Sequence, residues 1–73
     1  MQEERYLEHD VMLVLKQLPQ LTAKVLAYRL FHNTPYVEIS KSLGVSESSA
    51  KVIYHRGRIK LKAILEKEYG YEI

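Results

Sequence analysis

The sequence predicts an all-α domain of four helices that ends in a helix-turn-helix: a short helix, a glycine turn and a long recognition helix. Three observations predict it. Apolar residues recur at helical spacing in four stretches, and no stretch alternates with the period of two that a strand requires. Helix-ending and helix-starting residues fall between the stretches: Pro19, Asn33-Thr34-Pro35, and Gly44-Val45-Ser46. The last stretch, LGVSESSAKVIYHRGRIKLK from Leu43 to Lys62, opens as a tight turn and continues without a breaker.

The first helix is expected over residues 6–17. Leu7, Val11, Val14, Leu15 and Leu18 follow one face, and Asp10 sits in the early turns, where a carboxylate suits the helix dipole. The run VMLVL, Val11 to Leu15, is apolar most of the way round, so this helix either is surrounded by its own domain or offers an apolar strip to a partner. Pro19 separates it from a second helix over 20–32, where Leu21, Val25, Tyr28 and His32 share a stripe with Leu26 and Leu30 beside it. Asn33 suits a left-handed helix end. Thr34 is the expected cap of a third helix over 35–43, with Pro35 at its first position and Tyr36, Ile39 and Leu43 facing inward. Gly44 fits the positive φ needed just past that helix. Ser46 is the expected N-cap of a fourth helix over 47–68, whose inward stripe is Ala50, Tyr54 (or Ile53), Gly57, Leu61 and Ile64. The tail YGYEI breaks at Gly70 and is expected to fray.

The chain has 73 residues, enough for one small domain, with helices spread over the whole of 1–73. It has no cysteine, which excludes a disulfide framework and any thiolate metal site. Three histidines, His9, His32 and His55, include no i, i+4 pair, so no metal and no cofactor are expected. No apolar run approaches a membrane span, and the acidic start MQEERYLEHD lacks the apolar region of a signal peptide. The expectation is a cytoplasmic, monomeric protein without a membrane partner. Ser46, Ser48 and Ser49 are not accompanied by a paired base or an oxyanion loop, so no catalytic residue is assigned and the chain is not read as an enzyme.

The formal charge of +2 matters less than its placement. Residues 1–40 carry four Lys/Arg against five acids, while residues 41–73 carry seven against four. After Glu47 no acid appears until Glu66, and Lys51, Arg56, Arg58, Lys60 and Lys62 accumulate. With Ala50, Tyr54, Gly57 and Leu61 inward, the opposite face shows Ser48, Lys51, Val52 and His55, with Arg56 at its flank. A DNA major groove, about 12 Å wide, admits a helix with such side chains. His55 and Ser48 suit base edges, Val52 a thymine methyl, and Lys51, Arg56 and Arg58 the phosphates. Tyr36, Lys41 and Ser49 are secondary candidates for the DNA backbone, with core packing the alternative for Tyr36.

Here the chain resembles a family, region 4 of bacterial sigma-70-type factors, and most of all its extracytoplasmic-function (ECF) group. The residues that carry the resemblance are LP at Leu18-Pro19, VLAYR at Val25 to Arg29, PYVEISKSLGVS at Pro35 to Ser46, SAK at Ser49 to Lys51, HRGR at His55 to Arg58, and Leu61. They match without gaps over about residues 10–65. The resemblance implies that the last helix reads the −35 element of double-stranded promoter DNA. It also implies that the first helices dock on the flap of the RNA polymerase β subunit, a surface that anti-sigma factors cover in many relatives. Val11, Met12, Leu15, Leu26 and Leu30 are the candidates for that contact.

The chain departs from the family pattern at three places. Ile53 stands where the family has an arginine, Ser48 where it often has glycine, and Pro35 replaces the serine of a capping box, which leaves the cap to Thr34. The family's region 2 has no counterpart in these residues, so an excised domain is expected, with a stand-alone partner of another sigma subunit as the alternative. Two other readings compete. One is a LuxR-type helix-turn-helix output domain, which would carry a histidine two places after Lys51, where this chain has Ile53. The other is a protein-interaction module without specific DNA binding, in which the basic helix is a solvated face.

Overall fold

Three of the four helices, α2, α3 and α4, begin and end on local chemistry that can be named, and α1 begins on a residue with no side-chain cap of its own. The computed structural model describes residues 6–71, in the order α1 (Glu8–Leu15), α2 (Gln20–His32), α3 (Tyr36–Leu43) and α4 (Glu47–Tyr69). The all-α, four-helix expectation is met, with α3, the turn and α4 arranged as a helix-turn-helix.

The caps explain the boundaries. Pro19 and Pro35 stand just before α2 and α3 in extended conformation, with ψ of 145° and 148°, and their carbonyls accept the first helical amides, from Ala23 and Ile39. A proline suits this place because it has no N–H to leave unpaired. Neither helix has a side-chain cap, so Thr34 does not cap α3 as expected. Its carbonyl instead accepts a hydrogen bond from Arg29 Nη1 at 2.9 Å. Asn33 takes the left-handed conformation at φ 50°, and the Thr34 amide returns to the Tyr28 carbonyl at 3.0 Å. Gly44 ends α3 at φ 71°, and the Ser40 hydroxyl donates to the Val45 carbonyl across the turn. Ser46 caps α4 by accepting the Ser49 amide at 3.0 Å.

Two small apolar cores hold the helices. The first joins Val11, Val14 and Leu15 of α1, Leu26 of α2, and Leu61 and Leu65 of α4. The second joins Val25, Ile39 and Ala50, from α2, α3 and the start of α4. Tyr54 packs against both, and neighbours Val25 and Leu26 feed one core each. At about 1.5 Å per residue the 23 residues of α4 match the 35 Å long dimension of the molecule, so α4 serves both cores.

Several expectations shift. α1 is shorter than 6–17, because Lys16 to Leu18 tighten into a turn with Gln17 bonded to Val14 and Leu18 to Leu15. Leu21 and His32 lie outward, and the buried positions of α2 are Val25 and Leu26. In α4 the inward stripe ends on Leu65 rather than Ile64, which is half-buried, since Gly57, Leu61 and Leu65 keep a strict spacing of four. The helix continues to Tyr69, and the tail does not fray at once: Gly70 caps it at φ 73° and Tyr71 is bonded to the start of α1. The last two residues of the YGYEI tail lie outside the described region, as do residues 1–5.

Candidate nucleic-acid interface

The first turns of α4 project from the turn that Gly44, Val45 and Ser46 build. Their outward side carries Ser48, Ser49, Lys51, Val52, His55 and Arg56, all exposed. Val52 is 46% exposed, an apolar group left in water at the centre of this polar face. The inward side is Ala50 and Gly57, with Ile53 and Tyr54 half-buried beside them. Ile53 packs against the second core, which accounts for an apolar residue there. The serines are engaged at the helix start: Ser46 Oγ lies 2.9 Å from Ser49 Oγ and 3.2 Å from Ser48 Oγ.

Gly57 lets α4 approach α2. A methyl group built there would lie 2.6 Å from Thr22 Cγ2 and 3.2 Å from Leu26 Cδ1. The glycine of HRGR therefore sets the helix spacing, while His55 and Arg56 on the same turn stay in solvent.

Arg58 is not brought together with the others. One residue past Gly57, it is turned toward α1 and lies half-buried in a cleft of about 320 Å³ with Glu8, Leu30, Phe31 and Lys62. Lys41 is exposed on α3, and Tyr36 is half-buried at the first position of that helix.

An aromatic and cationic cluster backs the face. The Arg29 guanidinium lies 4.6 Å from the Tyr36 ring centre and 5.7 Å from that of Tyr54, and the two rings meet edge-on at 6.2 Å. Lys51 Nζ lies 5.9 Å from the Tyr36 ring. Such cations are held by the negative face of the ring. Arg29 thus ties the end of α2 to the first residue of α3 and, through Tyr54, to α4; its Nε has no hydrogen-bond partner. Sequence reasoning gave Arg29 no role. The available signal was its place three residues from the α2 terminus and seven before a tyrosine that opens the next helix.

On the other side of the molecule's first core, α1 and α2 border an open apolar groove of about 580 Å³. Met12, Leu15, Leu18, Ala23, Ala27 and Phe31 line it, together with Lys16 and Lys24. Only part of the expected docking set is here. Met12 is 50% exposed and Leu15 reaches the groove from the core edge. Val11 and Leu26, 5% and 0% exposed, are core residues that support the helices from beneath. Leu30 is exposed but borders the Arg58 cleft instead. The apolar run VMLVL could not show which of its residues a partner would meet. Ala23, Ala27 and Phe31 were missed because they acquire a shared wall only when α2 packs beside α1.

Among the described residues no group of His, Asp or Glu is placed to hold a metal ion, and no helix is long and apolar enough to cross a membrane. Neither a curated protein nor a solved structure matches the chain significantly. The family described as Sigma-70, region 4 matches residues 8–61, from the first residue of α1 to the core leucine of α4. That span takes in the second core, all of the first except Leu65, and the helix-turn-helix as far as Leu61 of α4, and it decides between the two helix-turn-helix families. Region 4 is a non-catalytic, promoter-binding domain that works with RNA polymerase, and this chain belongs to the sigma-70 region 4 family.

Proposed function

We propose that the chain reads a promoter −35 element as the region 4 domain of an ECF-type sigma factor. The observation that carries this reading is the single exposed face on the first turns of α4, where Ser48, Lys51, Val52, His55 and Arg56 stand together behind a helix-turn-helix turn. Recognition helices make their base contacts from this end. Ser48, Val52 and His55 meet base edges, and Lys51 and Arg56 meet bases or flanking phosphates. Tyr36, Lys41 and Ser49 meet the DNA backbone on the α3 side of that face. Arg58 serves the DNA backbone only from its turned position, at the edge of the footprint. The ECF assignment rests on the spacing of PYVEISKSLGVS and HRGR.

The groove between α1 and α2 docks the flap of the polymerase β subunit. Its apolar wall with two lysines suits an apolar helix with acidic flanks, and an anti-sigma factor would compete for the same wall. Polymerase tethering raises the local concentration of the domain at the promoter, so its free affinity for DNA need not be high.

The deciding experiment is a selection of random duplex DNA on the purified domain at several salt concentrations. Enrichment of one short motif, lost when Lys51 and Arg56 are replaced, supports the reading. Binding that stays insensitive to salt, or to those replacements, overturns the assigned face.

A further inference from the structure

Tyr71 closes the two ends of the domain on each other. Its hydroxyl accepts the Leu7 amide at 3.1 Å and donates to Asp10 Oδ2 at 2.6 Å. Its ring meets Tyr6 edge-on, with centres 5.1 Å apart. Leu7 is the N-cap residue of α1, and its own side chain supplies no cap. The first amides of a helix have no partner within it. A residue 64 positions later thus takes the part that a Glu or Gln at the third helical position plays in a capping box, accepting the N-cap amide.

We propose that Tyr71 is a positioning residue for the α1–α2 groove: it latches the start of α1 so that Met12 and Leu15 stand as the groove's wall. The inference rests on the docking role given to that groove above. α1 has eight residues, too few to hold helical shape alone. Val11, Val14 and Leu15 anchor its middle and end in the core. Its beginning has a weaker hold: Leu7, Glu8 and His9 are exposed and Tyr6, just ahead of them, packs half-buried on the core, which leaves room for a second anchor. Tyr71 supplies one. The Leu7 carbonyl accepts the Val11 amide, so the residue held by Tyr71 sets the turn immediately before Met12. Gly70 aims the latch: at φ 73° it reverses the chain, and the Tyr71 amide returns to the Leu65 carbonyl at 3.3 Å.

The test uses the full chain and three readouts: affinity for the isolated β-subunit flap of a bacterial RNA polymerase, affinity for duplex DNA, and amide exchange. Tyr71→Phe keeps the ring on Tyr6 and removes both hydrogen bonds. It is expected to weaken flap binding roughly two- to tenfold, the range set by losing a helix cap. Exchange of the Leu7 amide and the first turn of α1 should quicken, while DNA affinity and exchange in α3 stay as they were. Asp10→Ala should reproduce the flap defect, Asp10→Asn should recover most of it by keeping an acceptor, and Tyr71→Phe with Asp10→Ala should be no worse than either alone. Unchanged exchange in α1 of Tyr71→Phe overturns the latch. Faster exchange with undiminished flap affinity overturns its positioning role. A wild-type chain that binds no flap overturns the docking reading instead, and the exchange data then still decide whether the latch exists.

Discussion

Gly57 of α4 lies so close to Thr22 of α2 that a methyl group on it would stand 2.6 Å from the threonine Cγ2. No Cβ is accommodated at that distance without movement. Replacing a helix-interior glycine with alanine ordinarily gains about 1 kcal/mol, but overpacking a tight contact costs about 1–3 kcal/mol. Gly57→Ala should therefore lose stability by roughly 1 kcal/mol net. Thr22→Ser removes the obstructing methyl and should restore it in the double variant. Denaturant midpoints of the four proteins check this, and a more stable single Gly57→Ala would show that α2 yields freely.

Arg29 joins three helices through a carbonyl and two rings. Arg29→Ala should cost about 1–2 kcal/mol of stability, the scale of partly desolvated cation–π contacts. It should also weaken DNA binding, because Tyr36 and Lys51 lose their support at the edge of the recognition face. Arg29→Lys keeps the charge but not the planar stack, and should recover only part of either effect. Chemical denaturation and a DNA titration on the same samples measure both.

Lys51→Ala and Arg56→Ala distinguish base reading from phosphate contact. A residue that reads a base should cost about 1–3 kcal/mol and relax preference at one position. A phosphate contact should lower affinity evenly across sequences and reduce the salt slope by about one unit. Binding isotherms on matched and scrambled duplexes at several salt concentrations give the answer for each residue. Arg58→Ala should have the smaller effect, since its side chain is turned into the cleft beside Glu8.

Met12 is half-exposed in the groove wall, so Met12→Glu should leave the helical circular dichroism and the DNA affinity intact while polymerase flap binding falls. Flap binding that survives this change would place the docking surface elsewhere.

The Tyr71 phenol ionises above its ordinary range, chiefly because it donates a hydrogen bond to Asp10. The Leu7 amide works in the opposite direction, and burial and the Asp10 charge push the same way as the hydrogen bond. A raised folded value means that the latch contributes fully below about pH 10, the ordinary tyrosine value, and is lost as pH climbs through the folded value. An ultraviolet titration of phenolate should show one tyrosine ionising late, and that component should vanish in Tyr71→Phe. A superimposable pair of titration curves would count against the hydrogen bond.

The fold was legible wherever chemistry is local. Asn33, Gly44 and Ser46 mark helix ends because their own backbone or side chain satisfies the nearby groups, and all three do so. The spacing of Ala50, Gly57 and Leu61 likewise showed the buried side of α4. What depends on another element was not legible. Thr34 looks like a cap, but the helix starts one residue later, with Pro35 at the cap place and the Thr34 carbonyl held by Arg29 of α2. Val11 and Leu26 look like members of an apolar strip until the core covers them. The tail looks free until its tyrosine reaches α1. The outward face of α4 follows directly from periodicity, whereas the cluster behind it requires α2, α3 and α4 in their final positions.

The length of α4 has a mechanical consequence. Its early turns carry the face proposed for DNA, and Leu61 and Leu65, farther along the same rod, hold α1 and with it the groove. From Lys51 to Leu65 the unbroken helix advances about 21 Å, and each residue turns it by about 100°. Two macromolecules seated at its ends would therefore be fixed in both separation and rotational phase. The same rod acts as a gauge, passing the orientation of one bound body to the other with no moving joint between them.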